Sequence, residues 1–517
     1  MKNIVIGAGP AGITAAYKLS DQTQVEVFEK ANYIGGISTT LDFDENKVDL
    51  GPHRFFTRSE KVQQFWESIL PLQGTPTIDD TELQRAPLPV SDLPGAPDPE
   101  KTDNVLLNRH RLTRIYYRKH FFDYPIKLSW NTIKGMGFVN MIKIGFTYGW
   151  ALIFKKKETN LENFYINRFG KHLYQTFFKN YTEKVWGIEC NKISAYWGAQ
   201  RVKGISITKI LREILGKIFL KNKFKTNETS LIESFYYPKL GAGQMYNQIA
   251  QKAIQNGAKI NLSADVEKIN IEGKKIKSVV VNMGGQQQTI EGDNFISSMP
   301  ISELIGKMVG DVPQDVKNVA RALMYRNVRL VAFELNKLNL KNETNLKTYN
   351  GLIPDVWIYI QEENVKAGRM EIINNFSPYL VKDNKNKVCI TVEYFCSDTD
   401  NLWTMSDDDF CGMAMAELEK MDIAKKKETI KQKSFKVEKA YPVYFGAYKD
   451  FDVIKEYINS ISNLYPVGRN GMHKYNNMDH SILTAMETAD CILTGTPDKA
   501  SIWQINTEQA YHEEKQN

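Results

Sequence analysis

The chain has 517 residues, 42% hydrophobic and 25% charged, which is room for several cores at an ordinary globular composition. A net charge of +7, spread along the whole length, is too weak to point to nucleic acid and suits a small anionic ligand or a loosely held membrane surface. Five cysteines without a CxxC pair argue against a disulfide framework and for a reducing, cytoplasmic setting.

The chain starts directly in a strand, MKNIVIGAG, with no signal-peptide pattern. Gly7, Gly9 and Gly12 then form G-x-G-x-x-G between that strand and a helix. Gly7 permits the tight turn, Gly9 lets the backbone approach a pyrophosphate, and Gly12 lets helix and strand pack closely. The helix N-terminus offers free N–H groups and a positive dipole end to phosphates. Glu29, 17 residues past Gly12, ends the next strand, where an acid accepts hydrogen bonds from ribose hydroxyls. The spacing predicts a dinucleotide site.

Residues 71–99 hold seven of the 18 prolines and read as an irregular surface excursion, a candidate lid. Residues 135–154 are apolar enough to consider a membrane span, but Lys143 at the centre argues for a buried or interfacial helix instead. Lys155–Lys157, just after it, read either as a solvated helix end or as a contact with an anionic membrane. From about 125 to 230 the pattern is helical. Within it Tyr181, Trp186, Trp197 and Arg201 fall in one short stretch. Such rings can stack on a base or sugar, and an arginine can grip a phosphate with two donors. Equally, the rings can be helix core and the arginine a solvated charge. Two strands joined by a polar turn follow in residues 257–282, a further strand in DNFISSMP, and strand-like alternation across 326–400. After about 464 the chain turns helical, with Asp479 and His480 expected as caps, and it ends in a polar tail. The few His and Cys show no ligand spacing, so no metal is expected.

Several blocks, in one order over residues 3–490, resemble UDP-galactopyranose mutase and its amine-oxidase superfamily. YIGGISTT with VDLGPHRFF resembles a two-part FAD fingerprint. YPKLGAGQMYNQIA resembles a P-x-G-x-G motif, and LYPVGRNG a strand returning to the flavin. Tyr181, Lys184 and Trp186 match a Tyr-x-x-Lys-x-Trp pattern, with Arg201 15 residues past the tryptophan, as in the long eukaryotic-type mutases. FFDYPIKLSWN, AGRMEIINNFSPY, KAYPVYFGAY and GRNGMHKYNNMDHS match further mutase segments. The chain departs from the pattern at Lys127, where those mutases tend to have Gln, and at His473, which replaces an aromatic residue.

The resemblance implies an α/β fold: a Rossmann-like FAD-binding domain with a helical domain and an antiparallel β-sheet substrate domain. The FAD-binding domain would comprise residues 1–110, 231–310 and 456–500. Residues 111–230 would form the helical domain, 311–455 the β-sheet domain, and 501–517 a tail. FAD would contact Gly7, Gly9, Pro10, Ala11, Gly12, Glu29, Lys30, Gly35, Gly36, Gly51, His53, Val266, Gly468, Arg469 and Met478. Arg201, Arg369 and His53 would serve catalysis. Tyr124, Tyr181, Trp186, Tyr441, Tyr475 and Asn477, with the two arginines, would hold the substrate, a nucleoside-diphosphate sugar. The implied reaction is a non-redox exchange of pyranose and furanose rings, in which N5 of reduced FAD attacks the anomeric carbon. NAD(P)H is the expected transient reductant. The alternatives are an FAD oxidoreductase of the amine-oxidase or protoporphyrinogen-oxidase type and a flavin-binding protein without catalysis. No nucleic-acid partner and no transmembrane span are expected, and the pattern accommodates a homo-oligomer or peripheral membrane contact.

Overall fold

The computed structural model describes residues 1–124, 132, 135–195, 234–496 and 499–505. Strand β1 (Lys2–Ile6) is buried along almost its whole length, as expected for a parallel strand covered on both faces. It pairs in parallel with β2 (Gln24–Phe28) on one side and with Asn294–Ser297 on the other. Leu464–Pro466 and Lys259–Asn261 complete a five-stranded, all-parallel sheet. Three distant stretches of chain therefore build one parallel sheet. Helix α1 (Pro10–Ser20) crosses it, and its small residues Ala11, Ala15 and Ala16 share a buried cluster with Ala485 and Ala489 of the helix Met478–Thr494.

A seven-stranded sheet stands beyond, in the order Thr429–Pro442, Tyr325–Leu335, Val388–Cys396, Arg369–Ile372, Trp357–Ile360, Thr113–Tyr117, His120–Asp123. All its pairings are antiparallel except that of Trp357–Ile360 with Thr113–Tyr117. Val388–Cys396 is buried at every position. Alternate residues Ile390, Val392 and Tyr394 share a cluster with Phe410, Ala414 and Leu418 of the helix Asp407–Lys420, and Thr391 and Glu393 point the other way.

Residues 113–123, just ahead of the helical pattern, form a hairpin whose turn residues Arg118 and Lys119 both adopt positive φ (50° and 63°). Such a turn usually announces itself with Asn-Gly, and this one carries neither residue. The proline-rich excursion does not border the cavity described below, since no residue of 71–99 lines it. It is pinned instead by the buried Arg109, whose Nη2 lies 2.7 Å from Asp79, and by Arg85, 2.6 Å from the same carboxylate. Helices do occupy Phe138–Ile153, Leu161–Phe169 and Asn180–Trp186. Among the described residues no helix is long and apolar enough to cross a membrane.

Candidate functional site

The glycine turn at the head of the parallel sheet is built by steric necessity. Gly7 has φ +98°, and its N–H donates to the Phe28 carbonyl at 2.8 Å, joining the ends of β1 and β2. A Cβ on Gly12 would lie 1.9 Å from the Gly7 carbonyl oxygen, so only glycine lets α1 start against the turn. The first turn of α1 holds no acid and begins with Pro10, which leaves its N-terminal dipole open to an anion. Glu29 accepts the N–H of Ala8 (2.6 Å) and of Ala31 (2.8 Å), one on each carboxylate oxygen. The carboxylate is thereby fixed at the end of β2 with lone pairs to spare.

From this turn a cavity of about 470 Å³ runs to the seven-stranded sheet. Gly7, Gly9, Pro10, Ala11, Glu29, Lys30, Gly36, Gly51, His53, Val266, Gly468, Arg469 and Met478 line it. Gly12 and Gly35 do not, and both act from behind the wall. Gly12 packs as above, and Gly35, at φ +102°, donates its N–H to the Ala8 carbonyl at 2.9 Å. His53 Nδ1 lies 3.7 Å from the Asp49 carboxylate, which also holds the Tyr237 hydroxyl (2.7 Å) and the Ala242 N–H (3.2 Å). Asp49 thus joins the His53 loop to the start of the helix Ala242–Gln255.

The far wall is a consequence of strand register. Tyr359, Arg369 and Glu393 are direct neighbours across three strands, and Trp357, Glu371 and Thr391 form the next row on the same face. Arg369 Nη2 lies 2.5 Å from Glu393 and donates to the Tyr441 hydroxyl at 3.2 Å. Its Nε lies 3.5 Å from Glu371. Burial and then the neighbouring Glu393 charge push the Glu371 carboxyl well above the usual range. Burial works most strongly against the Arg369 charge, but Glu393, Tyr441, Tyr181 and Glu371 together outweigh it, so the guanidinium stays cationic. Burial also raises the Tyr441 hydroxyl, with Arg369 opposing. Tyr441 stacks on Tyr475 (centroids 5.4 Å apart, rings 13° from parallel). The Arg469 guanidinium lies 5.4 and 5.1 Å from these two ring centres and donates to the carbonyls of Ala440 and Asn476.

Arg369, Tyr441, Tyr475 and Asn477 therefore line the cavity. The Asn477 side chain also caps the helix Met478–Thr494, and His480 receives the Asn477 N–H in return. Tyr181 stands just behind the wall, edge-on to Tyr359 (5.3 Å) and Phe395 (6.4 Å), its hydroxyl raised by burial. Tyr124 meets Tyr359 at 4.6 Å from a half-exposed position at the rim. Trp186 does not line the cavity formed by the described residues and is buried with Leu161, Phe164, Phe169 and Val443. An aromatic on the inner face of an amphipathic helix goes to the core. Arg201, together with Trp197, Pro125 and Lys127, lies outside the described residues.

Sequence reasoning missed Arg54, Trp357, Tyr359, Glu371 and Glu393. Arg54 lies over the Trp357 ring at 4.0 Å. Its adjacency to His53 was a usable signal, but the carboxylates and rings become visible only with the register. Among the described residues no group of three or more His, Cys, Asp or Glu is placed to hold a metal.

A glycine-rich cradle on a parallel sheet, opening into a charged cavity under a second sheet, defines a dinucleotide-binding flavoprotein fold. The sequence pattern of the NAD(P)-binding Rossmann-like domain matches residues 5–69, and that of the flavin containing amine oxidoreductases matches residues 162–493. The chain belongs to the flavin-containing amine oxidoreductase family, and its cofactor is a flavin. Its fold is similar to that of a reduced UDP-galactopyranose mutase (TM-score 0.75, 18% identity, 98% of this chain and 96% of that one). It is also similar to putrescine oxidase (TM-score 0.56, 13% identity, 96% and 99% covered). A fatty acid isomerase from P. acnes shares the fold as well (TM-score 0.54, 11% identity, 95% and 97% covered). These similarities establish a mutase-like flavoprotein fold within the amine-oxidase superfamily.

Proposed function

We propose that the protein is an FAD-dependent sugar-nucleotide mutase, exchanging the pyranose and furanose forms of a nucleoside-diphosphate sugar. The observation that carries this reading is the Arg369–Tyr441–Tyr475 cluster on the cavity wall opposite the glycine cradle. A buried guanidinium bonded to one phenol hydroxyl, with a second phenol stacked on that ring, is suited to a doubly charged diphosphate and ill suited to a lipid tail.

In this reading the dinucleotide phosphates lie at Gly7, Gly9 and the α1 N-terminus, and the ribose at Glu29. FAD, when bound in reduced form, supplies the nucleophile. NAD(P)H is the reductant we assign to it. The chain supplies position and charge. Arg369 neutralises the diphosphate as it departs, Tyr441 and Tyr475 donate to its oxygens, and the wall of Trp357 and Tyr359 keeps water from the sugar. Such charge-assisted bonds contribute about 1.5–3 kcal/mol each. Confinement of both reactants lowers the barrier by up to roughly 7–11 kcal/mol. We assign the second guanidinium to Arg201 on the family pattern alone. No side-chain nucleophile is needed.

A second reading is favoured by Glu393, whose carboxylate lines the same cavity as the rings of Tyr359 and Trp357. An acid with an aromatic wall can seat a cationic amine, as an amine-oxidising relative would require. One experiment separates the two readings. The protein is reduced once under anaerobic conditions and offered a panel of UDP- and other nucleotide-sugars. A mutase gives many ring exchanges per reduction event. If no sugar nucleotide rearranges, and amines instead drive oxygen uptake, the oxidoreductase reading replaces it.

A further inference from the structure

Away from the cavity, the helix Phe138–Ile153 carries a surface that the chemistry above does not use. Phe138, Val139, Ile142, Phe146, Trp150 and Ile153 are each 56–76% exposed, and Phe154 continues the row at 56%. Phe138, Ile142, Phe146, Trp150 and Phe154 recur every fourth residue, so they form one stripe. Phe146, Trp150 and Phe154 make a continuous aromatic ridge, with centroid separations of 6.5 and 4.3 Å. A lone exposed phenylalanine needs no explanation, but a contiguous stripe of this size does.

The inner face fixes the helix in place. Tyr148 and Ala151 are buried, and Gly170 approaches so closely that a Cβ there would lie 2.7 Å from the Tyr148 nitrogen. The His172 N–H donates to the Thr147 hydroxyl at 3.2 Å, and the His172 ring meets the Asn140 amide at 3.1 Å. The stripe is therefore held facing outward.

Charge selects the occupant. Between Asp123 and Glu158 the sequence has no acid and six lysines: Lys127, Lys134, Lys143, Lys155, Lys156 and Lys157. Lys143 and Lys155–Lys157 are exposed. Glu158, the first acid after them, is already paired with Arg168 at 2.7 Å. A second copy of the chain meeting this face would set lysines against lysines with no acid between them. An anionic lipid surface complements both features, taking the aromatic ridge into its interface and the lysines against its headgroups. The 16-residue helix is about 24 Å long, shorter than the ~30 Å hydrocarbon core, so it lies in the plane and does not span. We propose that this helix docks the protein on an anionic bilayer surface. The inference does not depend on which reaction the cavity performs.

The test uses the full, flavin-loaded chain and sedimentation with vesicles of phosphatidylglycerol and phosphatidylcholine, against phosphatidylcholine alone. Binding is expected to the anionic vesicles and to weaken as salt rises. The combined Lys155→Gln, Lys156→Gln, Lys157→Gln variant is expected to bind about a hundredfold more weakly. The pair Phe146→Ser, Trp150→Ser is expected to lose binding while keeping flavin content and turnover. Failure of the unaltered protein to bind anionic vesicles overturns the proposal. So does a Phe146→Ser, Trp150→Ser protein that binds as before. If that pair instead splits an oligomer in light scattering, the face joins copies of the chain, and the lipid proposal is wrong. If it lowers the melting temperature without affecting vesicle binding, the face is covered by the chain itself, and the proposal fails equally.

Discussion

Arg369 and Glu393 face each other across two antiparallel strands, 2.5 Å apart, at the wall of the cavity. The guanidinium to which we assign the diphosphate is thus already balanced by a buried carboxylate. An incoming anion must share that guanidinium with Glu393, so its affinity is held below what the arginine alone would give. Glu393→Gln is expected to tighten nucleoside-diphosphate binding about tenfold, the equivalent of ~1.4 kcal/mol, in calorimetric titration. Removing one partner of a buried pair ordinarily destabilises by about 3–5 kcal/mol. Here the loss in urea unfolding should be smaller, because Glu371, 3.5 Å from Arg369 Nε, can ionise and take over. Unchanged affinity would mean that the diphosphate does not meet Arg369.

Arg369 itself should be indispensable to turnover and irrelevant to flavin retention. Arg369→Ala is expected to lower kcat by about 10²–10³-fold, the range seen when a preorganised charge stabiliser is lost. The flavin absorbance of the purified protein should persist. Arg369→Lys should recover only part of the rate, since an ammonium lacks the fork that reaches Glu393 and Tyr441 together. Tyr441→Phe, which removes one donor and leaves the stacking on Tyr475, should raise KM by roughly 10-fold.

Gly12→Ala tests the cradle. The added Cβ meets the Gly7 carbonyl oxygen at 1.9 Å, and backbone must move to relieve it. Since the same carbonyl borders the phosphate turn, the expected result is a protein with a several-fold lower flavin-to-protein ratio and a lower melting temperature. A variant that folds and holds stoichiometric flavin would remove the glycine turn from the cofactor site.

What was legible in the sequence is what depends on neighbours along the chain. Gly7, Gly9, Gly12 and Glu29 could be read because turn, helix start and acid lie within one βαβ unit. Tyr441 and Arg469 came from short segments that match the mutase pattern. The row Tyr359–Arg369–Glu393 was not legible, because it exists only once three strands have a register, and a slip of one residue would turn Glu393 to the other face. The burial of Trp186 was not legible for the converse reason. Its helix carries aromatics toward both the core and the site, and sequence spacing does not say which face is which. The hairpin Thr113–Asp123 stayed hidden because Arg118 and Lys119 do the work usually left to Asn-Gly.

His473, at a position where the mutase pattern leads one to expect an aromatic residue, is itself used as one. It is fully buried, stacked on Tyr448 at 5.7 Å and edge-on to Tyr325 at 4.8 Å, with its Nε2 bonded to the Val443 carbonyl at 3.1 Å. Burial drives its pKa down from 6.5 to about 4, the carbonyl opposing, so the ring is neutral at physiological pH. The sign follows from the depressed value: protons bind the unfolded chain more readily than the folded one. The stabilising contribution is whole above about 6.5 and is lost as pH falls toward 4. Over that window the loss amounts to roughly 3 kcal/mol. His473→Phe should keep the aromatic packing and flatten the fall in urea-unfolding free energy between these limits. Loss of the Val443 bond lowers the variant's stability equally across this range and leaves the slope as the readout. A slope equal to that of the unaltered protein would show that His473 is protonated in the fold and that another group sets its acid limit.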